Sequence, residues 1–182
     1  MHAAKLFITI SLMLIINGCS LLYYNYDSEA IIAYHIDASK WEIGHQKDFG
    51  EGNGYIREWV PKGESIHSWS ELLSIEFLEG NKKSPFDQAA EFAALRKNQC
   101  PGTEWSEIKR DQNTIYYKFA FPDCAGHKAQ VEITRLFRGN DGLHRLSYAQ
   151  KGTKMESAKE NYYLTLFDDA YVCKGSSENR LY

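Results

Sequence analysis

Cysteines and carboxylates are the side chains in this sequence with the most chemistry to offer. Four cysteines are present, Cys19, Cys100, Cys124 and Cys173. A zinc site would want a Cys-x-x-Cys or a clustered set of histidines. Cys124 with His127 supplies only two ligands, so no metal is expected. A Cys–His nucleophile pair needs a pocket that favours the thiolate, and no spacing here marks one. Glu58, Glu64, Glu71 and Glu76 could supply the two carboxyl groups that a glycoside hydrolase holds across a sugar cleft. Glu71 and Glu76 have opposite parity on one strand-like run, so they point to opposite faces. Solvated sheet-face charges are the default reading of these acids. His35, His45, His67, His127 and His144 are scattered and are expected at the surface or in turns. The sequence has no His-Glu-x-x-His, no Gly-x-Ser-x-Gly, no P-loop and no Gly-x-Gly-x-x-Gly opening a helix. No catalytic residue is assigned and no cofactor is expected.

Cys19 differs from the other cysteines in its setting. Lys5 opens the chain, an apolar run of about eleven residues follows, and Gly18 precedes the cysteine, which is the layout of a secretory signal. The run is too short for a membrane span of about twenty residues. The stretch Ile16-Asn17-Gly18-Cys19 resembles the lipobox of bacterial lipoproteins, with Asn17 an uncommon residue at its position. The resemblance implies that residues 1–18 are removed and that Cys19 becomes the acylated first residue. Its lipid would then hold the protein on a membrane, since several acyl chains together give stable attachment. Ser20, where Asp would favour the inner membrane, favours the outer membrane. The implied location is the bacterial cell envelope, with the domain in the periplasm or at the cell surface.

Cleavage before Cys19 leaves 164 residues, enough for one domain with a real core. The removed segment holds Lys5 and no acid, so the remainder carries 20 basic and 24 acidic residues, formally −4. That balance argues against a nucleic-acid partner, which would need a basic surface. Twelve Tyr, nine Phe and four Trp suit the half-buried faces of a sheet-rich fold.

Turn chemistry divides the chain. Residues 19–38 read as an N-terminal anchor segment, too apolar for a free tether and expected in part to pack. Residues 40–48 and 55–60 alternate around the glycine-rich Phe49–Gly54 and read as a hairpin. That turn has the glycine density of a phosphate cradle, but it lies between two strands. Trp69 to Phe77 puts Leu73, Ile75 and Phe77 on one strand face. Ser84 as N-cap, Pro85 at the first helical position and Asp87 three residues after the cap mark a helix start, and Cys100-Pro101-Gly102 stops it. Four strand-like runs follow at 104–110, 114–121, 129–137 and 143–150. A last helix, capped by Thr153 or Ser157, is expected to carry Met155, Ala158, Tyr162, Leu166, Ala170 and Cys173 at helical spacing, with Gly175 as its C-cap. Asp168 and Asp169 oppose its dipole and call for a cation nearby. The expected domain is residues 39–175, of α+β class and order β-β-β-α-β-β-β-β-α, with a 176–182 tail. Hairpin-length connections make the sheet mainly antiparallel, with both helices on one face.

That order resembles the Mog1p/PsbP-like α+β sandwich. A more local likeness rests on Trp69-Ser70-Glu71-Leu72-Leu73-Ser74-Ile75, Cys100-Pro101-Gly102, Cys124, Arg138-Gly139-Asn140-Asp141 and Cys173. These look like the landmarks of a family of small proteobacterial envelope proteins, with Ser70 standing where Thr is expected. The likeness spans roughly residues 58–174 and implies architecture without catalytic residues.

With Cys19 lipidated, three cysteines remain in an oxidising compartment, so one internal bridge and one spare thiol are expected. Counting element directions puts Cys100 and Cys124 at the same end of the sheet and Cys173 at the other. Cys100–Cys124 is therefore the expected bridge, contributing about 3 kcal/mol in the chain-entropy model. The leading functional expectation is a lipid-anchored, non-enzymatic binding or accessory module for an envelope protein or cell-wall partner. If both helices cover one face, the other stays wet, and Trp59, Trp105, Tyr116 and Tyr148 could form a binding face there. The alternative is a cell-wall or glycan hydrolase using a carboxylate pair.

Overall fold

A computed structural model describes residues 29–32, 37 and 39–174 of the chain. Cys19, the signal segment, most of the 19–38 segment, Gly175 and the C-terminal tail lie outside the described residues. The order is β1 (Glu29–Ile32), β2 (Trp41–Asp48), β3 (Tyr55–Pro61), β4 (Glu71–Glu79), α1 (Pro85–Gln99), β5 (Glu104–Arg110), β6 (Thr114–Phe121), β7 (Gln130–Arg138), β8 (Gly142–Lys151), α2 (Ser157–Asp169) and β9 (Tyr171–Lys174). Strands β2 to β8 form one antiparallel sheet in the order β2-β3-β4-β8-β7-β6-β5, and β1 pairs with β9 in a separate ribbon. The expected α+β class and mainly antiparallel sheet are present.

The helices lie on opposite faces, not on one. Helix α1 carries the chain from the central strand β4 to the edge strand β5, so it must cross over β8, β7 and β6 on one side. Ala89 of α1 packs there with Ile115, Tyr117, Phe119, Phe121, Leu136 and Leu143. On the other side Tyr163, Leu166 and Phe167 of α2 pack with Leu73, Ile75, Ile133, Leu146 and Tyr148. The central strands are apolar on both faces, as in Thr114-Ile115-Tyr116-Tyr117. One layer of helices would leave half of that surface wet. Each large aliphatic buried this way contributes about 1.5–3 kcal/mol.

The start of α1 is as expected: the Asp87 amide donates to Ser84 Oγ at 3.1 Å, and Pro85 opens the helix. The last helix differs. Glu156 occupies its N-cap without a side-chain cap bond, and it ends at Asp169 instead of reaching Cys173. Tyr171, Val172 and Cys173 pair instead with Ile32, Ile31 and Ala30 of β1. Asp168 finds its cation, accepting from Lys109 Nζ at 2.7 Å and from Tyr116 Oη at 2.6 Å.

Cys100 and Cys124 are joined in a disulfide, with Cα atoms 5.6 Å apart. Cys173, buried in β9, is also disulfide-bonded, so the spare thiol expected there is not found.

Candidate functional site

At the end of the sheet that bears the Cys100–Cys124 bridge, a groove of about 690 Å³ opens between the sheet and the first turns of α2. Trp41 from the start of β2, Pro61 and Lys62 from the end of β3, Glu71 from the start of β4 and Tyr162 and Tyr163 from α2 line it. Its geometry follows from local chemistry. Glu64 accepts from the Ser70 amide at 2.6 Å and from Ser70 Oγ at 2.7 Å, which closes the loop between β3 and β4. Tyr163 stacks on Tyr148 with ring centroids 3.6 Å apart, and Tyr162 meets Tyr163 edge-on at 5.0 Å. Burial pushes the Tyr163 hydroxyl well above the ordinary tyrosine range, with the Glu71 charge adding to it. Tyr162 is left half exposed at the rim.

The acids of this groove are committed. Lys159 donates to Glu71 Oε1 at 2.6 Å. Asp37 accepts from Ser39 Oγ at 2.5 Å and has Lys40 at 3.3 Å, and the Ser39 hydrogen bonds lower its pKa. Lys62 stays exposed at the rim while Lys40 is paired with Asp37, so the groove offers aromatic surface beside a cation.

A second polar assembly crosses the α1 face of the sheet. His45, Glu58, Ser74, Ser147, Thr134, Tyr117 and Glu107 fall in one row of registered pairs from β2 to β5. In neighbouring rows Arg145 Nε lies 3.0 Å from Glu76 Oε2, and Glu132 accepts from Thr134 Oγ1 at 2.9 Å. Burial raises the pKa of Glu58, while the carboxylates of Glu76, Glu132 and Glu58 hold Arg145 firmly charged. Arg145 also lies over the Phe92 ring of α1 at 5.4 Å. Arg145 thus joins the acids of the sheet to α1 through Phe92.

The third assembly closes the opposite end. Glu29 is 1% exposed, and its carboxylate accepts from the amides of Asn140 at 2.7 Å and Asp141 at 3.1 Å. His144 Nε2 completes the seat at 3.0 Å from Oε2. Burial of this imidazole lowers its pKa, so it is neutral at pH 7 and its Nε2–H donates to the carboxylate. The fully buried ring lies between Phe77 at 4.5 Å and Phe137 at 5.5 Å. The donors of these hydrogen bonds keep the Glu29 carboxyl below its ordinary pKa in spite of its burial.

The sequence-derived sites divide against this geometry. Trp59, Tyr116 and Tyr148 are buried on the α2 face, while Trp105 lies on the α1 face beside Tyr117. They form no common exposed face, because helices on both sides leave neither face bare along its central strands. His45, His67 and His127 are at the surface as expected, but His144 is a core residue. Glu71 and Glu76 do point to opposite faces, toward Lys159 and Arg145 respectively. Among the described residues no group of three or more His, Cys, Asp or Glu is arranged to hold a metal ion. Glu29 and His144 were the residues that sequence reasoning missed. Their one signal was an acid set immediately before the apolar Ala30-Ile31-Ile32.

A family model matches residues 35–168, nearly three quarters of the chain. The chain belongs to this bacterial family. The match covers α1, the whole seven-stranded sheet and all of α2 but Asp169. Among curated proteins none matches significantly. Among solved structures, the chain is similar to the Ran-binding protein Mog1p of Saccharomyces cerevisiae, at 12% identity and a TM-score of 0.43, over 80% of this chain and 96% of that one. It is similar also to cyanobacterial PsbP (CyanoP) from Synechocystis, at 11% identity and a TM-score of 0.43, over 84% of this chain and 97% of that one. Similarity at this level carries no functional implication for the family member described above.

Proposed function

We propose that this family member is a lipid-anchored bacterial envelope protein, outer-membrane bound through Cys19, whose domain is a non-enzymatic binding module for a cell-wall fragment. The observation that carries the binding assignment is the groove. A half-exposed Tyr162 shares the groove with Lys62, and the groove's own acids are already engaged. A sugar ring can stack on Tyr162, and a carboxylate of a cell-wall peptide can meet Lys62. The hydrolase alternative needs two carboxyl groups across one cleft. Here Glu64 closes a loop, Glu71 pairs with Lys159, and Glu58 and Glu76 lie on the opposite face.

Calorimetric titration with soluble disaccharide-peptide fragments tests the groove. Tyr162→Ala and Lys62→Glu are each expected to weaken binding about tenfold, or ~1.4 kcal/mol, without changing the melting temperature. Absence of binding to the unaltered protein would overturn the assignment, and release of new reducing ends from cell wall would point to the hydrolase.

The anchor has its own test. Cys19→Ala is expected to move the protein from the membrane fraction to the soluble envelope fraction. In the unaltered protein, intact mass should show acyl chains on a chain that begins at Cys19. With Cys100 and Cys124 joined to each other, Cys19 is the other cysteine of the sequence besides Cys173. A thioether sulfur cannot enter a disulfide, so an unacylated Cys19 bridged to Cys173 would refute lipidation.

A further inference from the structure

The seat of Glu29 is built around a strand that contributes little else to the fold. Strand β1 has four residues, pairs with β9 alone, and stands outside the seven-stranded sheet. Ile31 reaches the core on the α2 face, and Tyr55 Oη donates to the Glu29 carbonyl at 3.3 Å. The remaining polar attachment of this strand is the Glu29 carboxylate, enclosed by the turn between β7 and β8 and by His144. A buried carboxylate of this kind holds only while it is ionised and its donors are in place.

His144 makes the seat sensitive to protons by geometry. With Nε2–H directed at Glu29, the ring's other nitrogen, Nδ1, has no hydrogen-bond partner among the described residues. It lies between two phenyl rings. A second proton on the imidazole would go to Nδ1, creating a buried N–H donor without an acceptor. That is a costly state, and water admitted by opening the seat would relieve it.

We infer that β1 is a proton-released strap, closed by the Glu29 carboxylate in its seat and opened by protonation of His144 and Glu29. Opening would free residues 29–32 as additional tether. That adds about 13 Å of reach at full extension between the anchor and the groove. This consequence for the tether rests on the anchored reading above, whereas the strap itself does not. The groups facing Glu29 are His144 from β8, the amides of Asn140 and Asp141, the Asp141 carboxylate and the Tyr55 hydroxyl from β3.

The pH window follows from the two ionisations. His144 has a closed-state pKa below its ordinary 6.5, so its contribution to closure is complete above pH 6.5 and is lost as the pH falls below that. Glu29 has a closed-state pKa below its ordinary 4.5, so its contribution is lost as the pH falls below 4.5. Release therefore begins on the acid side of pH 6.5, driven first by the imidazole.

Hydrogen exchange of the full chain, corrected for the intrinsic effect of pH on exchange, reads the strap directly. Protection of residues 30–32 is expected to fall about tenfold between pH 7.5 and pH 5 through proton linkage. Protection of β4 should hold over the same range. Glu29→Gln should leave residues 30–32 poorly protected at both pH values. His144→Gln keeps an N–H donor but cannot charge, so it should move release to below pH 4.5. Protection of residues 30–32 that ignores pH, or that falls only together with β4, would overturn the strap. Fractionation of Cys19→Ala reports on the anchor alone, so the two readings can fail separately.

Discussion

Gly139→Ala is expected to lower stability by about 3 kcal/mol, among the larger effects of a single substitution. At position 139 a Cβ would overlap the Glu29 carboxylate and lie 2.7 Å from His144 Nε2. Neither neighbour is a flexible surface group. His144 is held between two rings, and Glu29 is fixed by two turn amides. The carboxylate must therefore leave its donors, and a buried charge without them costs more than the hydrogen bonds were worth. For a domain of this size the loss corresponds to a fall in Tm of roughly 6–12 °C. Combining Gly139→Ala with Glu29→Ala removes the side chain that is hit, so the double variant should cost clearly less than the sum of the singles. A Gly139→Ala protein within about 0.5 kcal/mol of the unaltered one would show that the seat is not tight. The landmark Arg138-Gly139-Asn140-Asp141 thus has a steric reason for its glycine.

Arg145→Leu is the other substitution with a large expected cost, about 3–5 kcal/mol at pH 7. Arg145 is the cation that Glu58, Glu76 and Glu132 share on the α1 face. Its removal leaves three carboxylates in neighbouring rows without their shared cation, with Glu58 already pushed upward by burial. The folded-state pKa of Glu58, raised already by burial, would rise further above its unfolded value. For an acid shifted that way, the cost appears as the pH rises through the unfolded value near 4.5 and vanishes below it. Urea unfolding at several pH values should accordingly show the gap between the unaltered protein and Arg145→Leu wide at pH 7 and much narrower at pH 4. A gap independent of pH would mean that the arginine acts through packing on Phe92 instead.

The two assemblies also show what could be read from the sequence. The strands of the main sheet were legible because turn residues bound each run and period two is clear in Ile115, Tyr117, Phe119 and Phe121. The α1 start was legible from Ser84 and Pro85, whose effects are local. The Cys100–Cys124 bridge followed from counting element directions, which needs no side-chain detail. The faces taken by the helices were misjudged because strand periodicity tells which residues alternate and not which layer covers them. Strand β9 was absorbed into α2, since Ala170 and Cys173 fit a helical period. A four-residue strand is defined by its partner, and the partner lies about 140 residues upstream. Glu29 and His144 stand 115 residues apart, and nothing local in either marks a buried pair. The groove is likewise assembled from β2, β3, β4 and α2, so no contiguous motif announces it.

The placement of β1 has a mechanical consequence. Tension entering from residue 28 meets the four backbone pairs of the β1–β9 ribbon and the Glu29 seat first. The ladders of the seven-stranded sheet are not in that path until β1 has come away. The small ribbon therefore acts as a fuse. It gives way before those ladders are loaded, and it can close again because the sheet that forms its seat stays folded.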